Sequence, residues 1–303
     1  MTSTGYKNQF AYVLKSIRKN PTLKPILPNL ENKNYLISGG TRGIGYSIAD
    51  HLVGLGANVM VIGKTSTPHS KLENTIYSAA EQINKKHNST NCLSACVDIR
   101  SPLSIDNALV HAEETFGQLD GVVLNASALC LDNTLGQKEK EIRLMSEVNI
   151  MGTFIMGQKC IKHIKNSKHG SVLLIAPPIE MLYDDNWWTN HLYYSMSKFN
   201  MSIMSKFWDK EFPGIGVNTL WPRTTVDTAP VRNILGGEEM SNISRTPDIM
   251  GKAASHIFLA DPKKCSGFHF IDDEVLASLD EDVEQYRVNP HISEKELMPD
   301  FFC

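Results

Sequence analysis

The sequence predicts an α/β chain built on a doubly wound parallel sheet, about seven strands wide, in a single domain. Three observations predict it. The candidate strands are short and continuously apolar, which marks strands covered on both faces. They alternate with helical stretches through short connections, the pattern of a parallel sheet flanked by helices. A cluster of glycines separates the first strand from the first helix, where such sheets bind their ligands.

The elements follow in order. Tyr35-Leu36-Ile37-Ser38 reads as the first strand, and a helix runs from the glycines to about Leu55. Asn58–Ile62 is the second strand, followed by a helix near 70–86. Leu93–Val97 is the third, with a helix near 102–116, and Gly121–Leu124 is the fourth. Ile142, Met145, Val148, Met151 and Phe154 recur at helical spacing before a fifth strand at Ser171–Ile175. A long helix covers roughly 190–212, Gly216–Leu220 is the sixth strand and Phe268–Ile271 the seventh. The alternation is unbroken from 34 to 271, which argues for one domain there. Residues 1–33 form an N-terminal extension and 272–303 a tail, in which Val275, Leu276, Leu279, Val283 and Tyr286 suggest a short helix.

Composition excludes classes without naming a function. The 303 residues carry 30 Lys+Arg and 33 Asp+Glu, a net charge of −3, so nothing supports a nucleic-acid or membrane-surface partner. No apolar run approaches the roughly 20 residues needed to span a bilayer. The six cysteines are scattered without paired spacing and read as buried apolar thiols in a reducing compartment. The histidines show no metal spacing, and no metal is expected. The first acidic residue is Glu31, and the basic, amphipathic lead before it fits either a mitochondrial transit segment or a helix packed on the domain.

The chemistry starts at Ser38-Gly39-Gly40-Thr41-Arg42-Gly43-Ile44-Gly45. The spacing is not G-x-G-x-x-G, but the mechanics agree. The first glycine permits a tight turn, and the others let the backbone approach a pyrophosphate at the helix N-terminus. In this position the loop predicts a Rossmann-type dinucleotide site. An NAD site usually carries an acid at the end of the second strand to hold the ribose 2′-hydroxyl. Here that strand ends Ile62-Gly63-Lys64. Lys64 and Arg42 can both pair with a 2′-phosphate, so NADP(H) is the expected cofactor.

Tyr194-Ser195-Met196-Ser197-Lys198 opens the long helix, and the four-residue spacing puts Tyr194 and Lys198 on one face. A free phenol is a poor base; a neighbouring ammonium favours its phenolate. With the glycine loop and this pair in hand, residues 34–271 resemble the short-chain dehydrogenase/reductase superfamily. The resemblance implies that Tyr194 is the general acid/base and that Lys198 tunes it and holds the nicotinamide ribose. It implies further that Asp98 touches adenine and that Asn125 follows the fourth strand at the cofactor. It makes Asn149 the support of a proton-relay water, and Pro222, Thr224 and Thr228 the contacts to nicotinamide. Homo-oligomers and small-molecule alcohol/carbonyl substrates are implied in the same way.

Gly63-Lys64-Thr65-Ser66-Thr67-Pro68-His69, Ala176-Pro177-Pro178, Leu220-Trp221-Pro222-Arg223-Thr224 and Pro299-Asp300-Phe301-Phe302 narrow the match. They look like the hydroxysteroid dehydrogenase-like protein 2 family, whose dehydrogenase part is often followed by a sterol-carrier domain; that domain is absent from these 303 residues. This resemblance implies mitochondrial or peroxisomal residence, with the cytoplasm as the alternative. The sequence departs from the pattern at one telling place. The superfamily ends its fifth strand with a serine that bonds the substrate carbonyl, and here Ala176 has no donor. Losing such a donor typically costs about 10²–10³ in rate, which leaves a slowed enzyme or a cofactor-binding protein with little catalysis. Thr189, Tyr193 and Tyr183 are candidate substitutes. Leu124, Ser127 and Arg223 also depart from the superfamily pattern. Trp187, Trp188, Met181 and Leu182 either line a lipophilic substrate pocket or cover the core or an oligomer contact.

Overall fold

A computed structural model describes residues 23–70, 74–183 and 190–301. Seven parallel strands stand in the order β3-β2-β1-β4-β5-β6-β7. They are β1 (Asn34–Ser38), β2 (Asn58–Gly63), β3 (Cys92–Cys96), β4 (Gly121–Leu124), β5 (Ser171–Ile175), β6 (Gly216–Trp221) and β7 (His269–Ile271). The chain leaves β1 in one direction toward β2 and β3 and returns on its other side at β4. That reversal opens a crevice at the carboxyl ends of β1 and β4, the place where open α/β sheets bind ligands. Register pairs Ile37 with Val61 on one side and Val123 on the other, so the apolar runs stack across the sheet.

Helices cover both faces. α1 (Gly43–Gly54) buries Ile48, Ala49, Leu52 and Val53. It packs against α8 (Asp248–Leu259) at Gly251, where a Cβ would collide with Ser47 and His51. On the other face α3 (Pro102–Phe116) and α5 (Thr153–Ile164) bury Ile105, Leu109, Met156 and Ile161 with Leu36, Met60 and Val122 of the sheet. α3 is started by Ser101, whose side chain accepts from the Ser104 amide, with Pro102 in the first turn. α2 (Ile76–His87) begins at a capping box between Thr75 and Ser78, later than the expected start near 70. α4 (Glu139–Met145) leads into a π-helix at Ser146–Gly152 before α5. The single helical region expected there is thus widened in its middle. α6 (Leu192–Glu211) is the long helix. A second π-turn (Val231–Leu235) and α7 (Gly237–Asn242) precede α8.

The expected tail is part of the body. α9 (Asp272–Ala277) follows β7 directly, and Val275, Leu276 and Tyr286 are buried in the same cluster as Leu220 and Phe270. At the other end Leu23 and Leu30 join that cluster, and Pro25 bridges Ala260. Residues 1–22, Trp187, Trp188 and Thr189 lie outside the described residues. Among the cysteines, Cys92, Cys160 and Cys265 are buried as expected and Cys130 partly so. Cys96 is exposed, because β3 is the sheet's edge strand and its last residue passes beyond the helices.

Candidate active site

Tyr194 and Lys198 lie one turn apart on α6, and both are buried. The helix enters through His191 in the left-handed region, φ 64°, its ring Nδ1 paired at 2.5 Å with the Leu131 carbonyl. Lys198 Nζ donates to the Ile175 carbonyl at 2.7 Å, contacts Met201 Sδ at 3.7 Å and stands 5.1 Å from the Trp221 ring centre. Burial pushes the ammonium down to about 7, and the field of Asp300 pulls it partly back. Burial pushes the Tyr194 phenol up, and Asp300 adds to the rise. In this state the phenol is therefore an acid that holds its proton at neutral pH. Desolvation leads, and the charge acting on the phenol beside it is that of Asp300, not the phenolate-favouring one expected of Lys198.

Asn149 sits in the π-helix and is fully buried. Its Oδ1 accepts from the Ala128 amide at 2.7 Å and the Ser127 hydroxyl at 3.2 Å. Its Nδ2 donates to the Ala128 carbonyl and to Ser197 Oγ, each at 2.9 Å. Ser197 in turn donates to the Tyr194 carbonyl at 2.8 Å. The π-turn thereby ties the segment after β4 to the tyrosine helix. Such wide turns within helices recur at functional sites.

The glycine loop occupies the crevice. Asn125 braces it: its Nδ2 donates to the Ser38 carbonyl at 2.9 Å and the Gly39 carbonyl at 3.2 Å. A Cβ on Gly45 would stand 2.5 Å from that Nδ2 and 2.5 Å from the Gly39 oxygen, so the helix can sit this close only without a side chain. α1 begins without a side-chain cap on Arg42 and without an acid in its first turn. Thr41, Gly43 and Ile44 complete the turn beside this N-terminus. A compact glycine turn feeding an uncapped, acid-free helix start fits the pyrophosphate of a dinucleotide. Arg42 Nη2 donates to the Asn74 carbonyl at 3.0 Å, which holds its guanidinium toward the loop after β2, where Lys64 is exposed. The Val97 amide bonds the Gly63 carbonyl at 3.0 Å and sets Asp98 at the same edge. Asp98 is grasped by Arg100, whose Nη2 approaches its Oδ2 to 2.5 Å. That hydrogen-bonded guanidinium holds the carboxyl below its usual range, and Lys64 acts in the same direction.

The segment after β6 closes the other side. Thr228 hangs over the loop, its Cγ2 standing 3.0 Å from where a Cβ of Gly43 would lie. Pro222 and Thr224 are buried, and Thr224 bridges Pro299 in antiparallel fashion. Arg223, one of the departures from the superfamily pattern, bonds to α9. Its amide donates to Asp272 at 2.9 Å, while its guanidinium reaches Asp273 at 3.2 Å and Glu274 at 2.5 Å on α9. Ala176 is buried at the end of β5 and offers no donor. Of its candidate substitutes, Tyr193 is engaged through its hydroxyl with Ser146 Oγ at 2.5 Å. Thr189 and the Tyr183 side chain lie outside the described residues.

Sequence reasoning missed several participants. Ser38 Oγ accepts the Asn125 and Ala126 amides, each at 3.0 Å, and so pins β4 to the glycine loop. Ser197 lies inside the Tyr–Lys motif, where its one-turn spacing from Tyr194 was the available signal. Asp272, Asp300 and Phe301 come from residues read as a tail; the Pro-Asp-Phe-Phe run marked the last two without assigning a role, and nothing marked Asp272.

Known proteins match this arrangement. The short chain dehydrogenase family model matches residues 33–236. Hydroxysteroid dehydrogenase-like protein 2 of Xenopus tropicalis is 38% identical over 91% of the chain, which spans 66% of that protein's length. A crystal structure from Xanthomonas campestris superposes with a TM-score of 0.83 at 33% identity, covering 91% of this chain and 99% of that one. A short chain dehydrogenase from Mycobacterium thermoresistibile gives 0.81 at 35% identity, covering 90% and 95%. The family model covers more than half of the chain, and on that match the chain belongs to the short-chain dehydrogenase/reductase family.

Proposed function

We propose that the protein is an NADP(H)-dependent oxidoreductase that interconverts an alcohol and a carbonyl on a lipophilic substrate. The observation that carries the reading is the buried Tyr194–Lys198 turn at the sheet's carboxyl end, tied to the π-helix through Ser197 and Asn149. When bound, the nicotinamide gives or accepts the hydride. Gly39, Gly40, Gly43 and Gly45 leave room for the pyrophosphate, and the N-terminus of α1 faces it. Arg42 and Lys64 supply the positive charge for a 2′-phosphate, and no acid at the end of β2 opposes one. Asp98 lies at the adenine edge, and Pro222, Thr224 and Thr228 flank the nicotinamide half. Tyr194 holds the proton that passes to a carbonyl oxygen or returns from an alcohol. Lys198, buried beside it, stabilises the phenolate left behind and reaches the ribose. Asn149 keeps the tyrosine helix in place.

The test is Tyr194→Phe, assayed by NADPH oxidation over a carbonyl panel and by cofactor titration. Turnover should vanish while the cofactor still binds; retained turnover would refute the assignment. Buried Ala176 favours a second reading, a cofactor-binding protein with weak catalysis. Robust wild-type turnover removes it.

Self-association is part of the proposal. Met151 at the end of the π-helix, Phe154 at the start of α5, and Met196, Ile203 and Phe207 on α6 leave apolar side chains 41–64% exposed, surfaces suited to a second copy. No described helix is long and apolar enough to cross a membrane.

A further inference from the structure

Lys198 is buried, and its nitrogen donates to the Ile175 carbonyl at 2.7 Å and weakly to the Met201 sulfur at 3.7 Å. Neither partner carries a charge, and an ammonium taken out of water needs compensation. The Trp221 ring faces it, with the ring centre 5.1 Å from the nitrogen. An indole face attracts a cation within about 6 Å of its centre, most strongly where both are dry. Trp221 is 4% exposed and Lys198 2%, so both are. An ammonium has three N–H donors. A π face offsets its charge and still leaves a donor for a ribose hydroxyl. The ring is also held. Trp221 ends β6, where its backbone pairs with Ile271 of β7. Its Nε1 donates to the Phe301 carbonyl at 2.6 Å, and the Phe301 ring stands edge-on to Tyr194 at 6.1 Å. The strap that ends at Phe301 lies along the stretch after β6: Thr225 N donates to the Met298 carbonyl at 2.8 Å, Pro299 bridges Thr224, and Asp300 N donates to the Arg223 carbonyl at 3.0 Å. Turning the indole would break its bond to Phe301 and carry its face off Lys198.

We propose that Trp221 is a positioning residue of the Tyr194–Lys198 pair: its indole face partners the buried ammonium, and its N–H is the peg by which the 297–301 strap fixes that face. The assignment rests on Tyr194 and Lys198 being the reacting pair, because Trp221 acts through Lys198. The titratable groups facing the ammonium are Tyr194, one turn back on α6, and Asp300 of the strap, whose field reaches it. Asp272 of α9 stands behind Asp300. Burial holds Asp300 up at about 8, so that carboxyl is mainly uncharged at neutral pH. The indole has no proton to gain or lose in this range, and its face acts on the lysine at every pH.

The experiment follows Lys198 itself. Lysine labelled with ¹³C at Cε is incorporated into the full chain, and the Lys198 signal is assigned by its loss in Lys198→Met. Tryptophan analogues with one, two and three ring fluorines are placed site-specifically at residue 221. Fluorine draws charge from the ring face while the size and the N–H are kept. The Lys198 midpoint should fall with each fluorine, by about one pH unit over the series. Trp221→Leu, which removes the face, should lower it at least as far, and Trp221→Phe, which keeps a weaker face, should fall between. In turnover assays the pH limb of the pair should move with that midpoint, while the KM for NADPH, read below it, stays within about twofold. A midpoint indifferent to fluorine in the folded protein overturns the assignment, as does a lowered rate at every pH with an unmoved midpoint. Should the wild type prove inert on every carbonyl while the midpoint still falls with fluorination, the oxidoreductase reading fails and the Trp221–Lys198 link stands.

Discussion

Replacing Asn149 with Ala should cost far more than a surface change. Its side chain makes two bonds to the main chain of Ala128 and one to Ser197, at 2.7, 2.9 and 2.9 Å. The fourth, to Ser127, involves an exposed hydroxyl that water can serve. At about 1 kcal/mol net per bond the three amount to about 3 kcal/mol, with more if the Ala128 amide stays dry. Urea unfolding should show that loss with an unchanged m-value. Asn149→Asp sharpens the test, because its second oxygen would face the Ala128 carbonyl as acceptor against acceptor. Its folded-state pKa is therefore raised, the folded protein holds the extra proton, and its deficit should grow as pH rises above about 4. A loss below 1 kcal/mol for Asn149→Ala, or an Asn149→Asp deficit independent of pH, would refute the view that this side chain locks the segment after β4 to the tyrosine helix.

Three further outcomes follow from named contacts. Lys64→Ala should narrow the preference for NADPH over NADH roughly tenfold in fluorescence titration, one charge-assisted contact at about 1.5 kcal/mol; equal affinities in the wild type would contradict it. Ala176→Ser should raise carbonyl turnover by up to about 10²-fold if a missing donor limits the rate, and an unchanged kcat would show that it does not. Arg232→Ala should destabilise the protein by about 0.5–1 kcal/mol at pH 7, a small loss because the guanidinium is half exposed, although it grips the carboxylate of Asp227 at 2.5 and 2.7 Å and holds it below its usual range. That stabilisation exists above the unfolded aspartate value near 4 and disappears as pH falls through the lowered folded one, so wild type and variant should converge in acid.

The sheet was legible because burial on both faces leaves an unbroken apolar run at each strand, and the described strands fall within a residue of the expected ones. The glycine loop was legible because backbone crowding admits no side chain at Gly45. The π-helix was not, since widening one turn leaves the apolar spacing of Met145 and Val148 intact and changes only where Asn149 points. The roles of Arg223, Asp272 and Asp300 were hidden for a different reason. A charge written in sequence does not say which charge it meets, and Arg223 meets Asp272 across 49 residues. Arg223, which the sequence marks only as a departure from the superfamily pattern, turns to the acids of α9. The tail read as an appendage supplies a wall of the pocket.

The bond between the Trp221 indole and the Phe301 carbonyl joins residues 80 positions apart. On a ribosome, the glycine crevice and the tyrosine helix emerge well before that closing stretch. A nascent chain can therefore acquire its dinucleotide cleft before Phe301 closes against Trp221 and Tyr194, and contacts of such long span form late because their loop-closure entropy comes first.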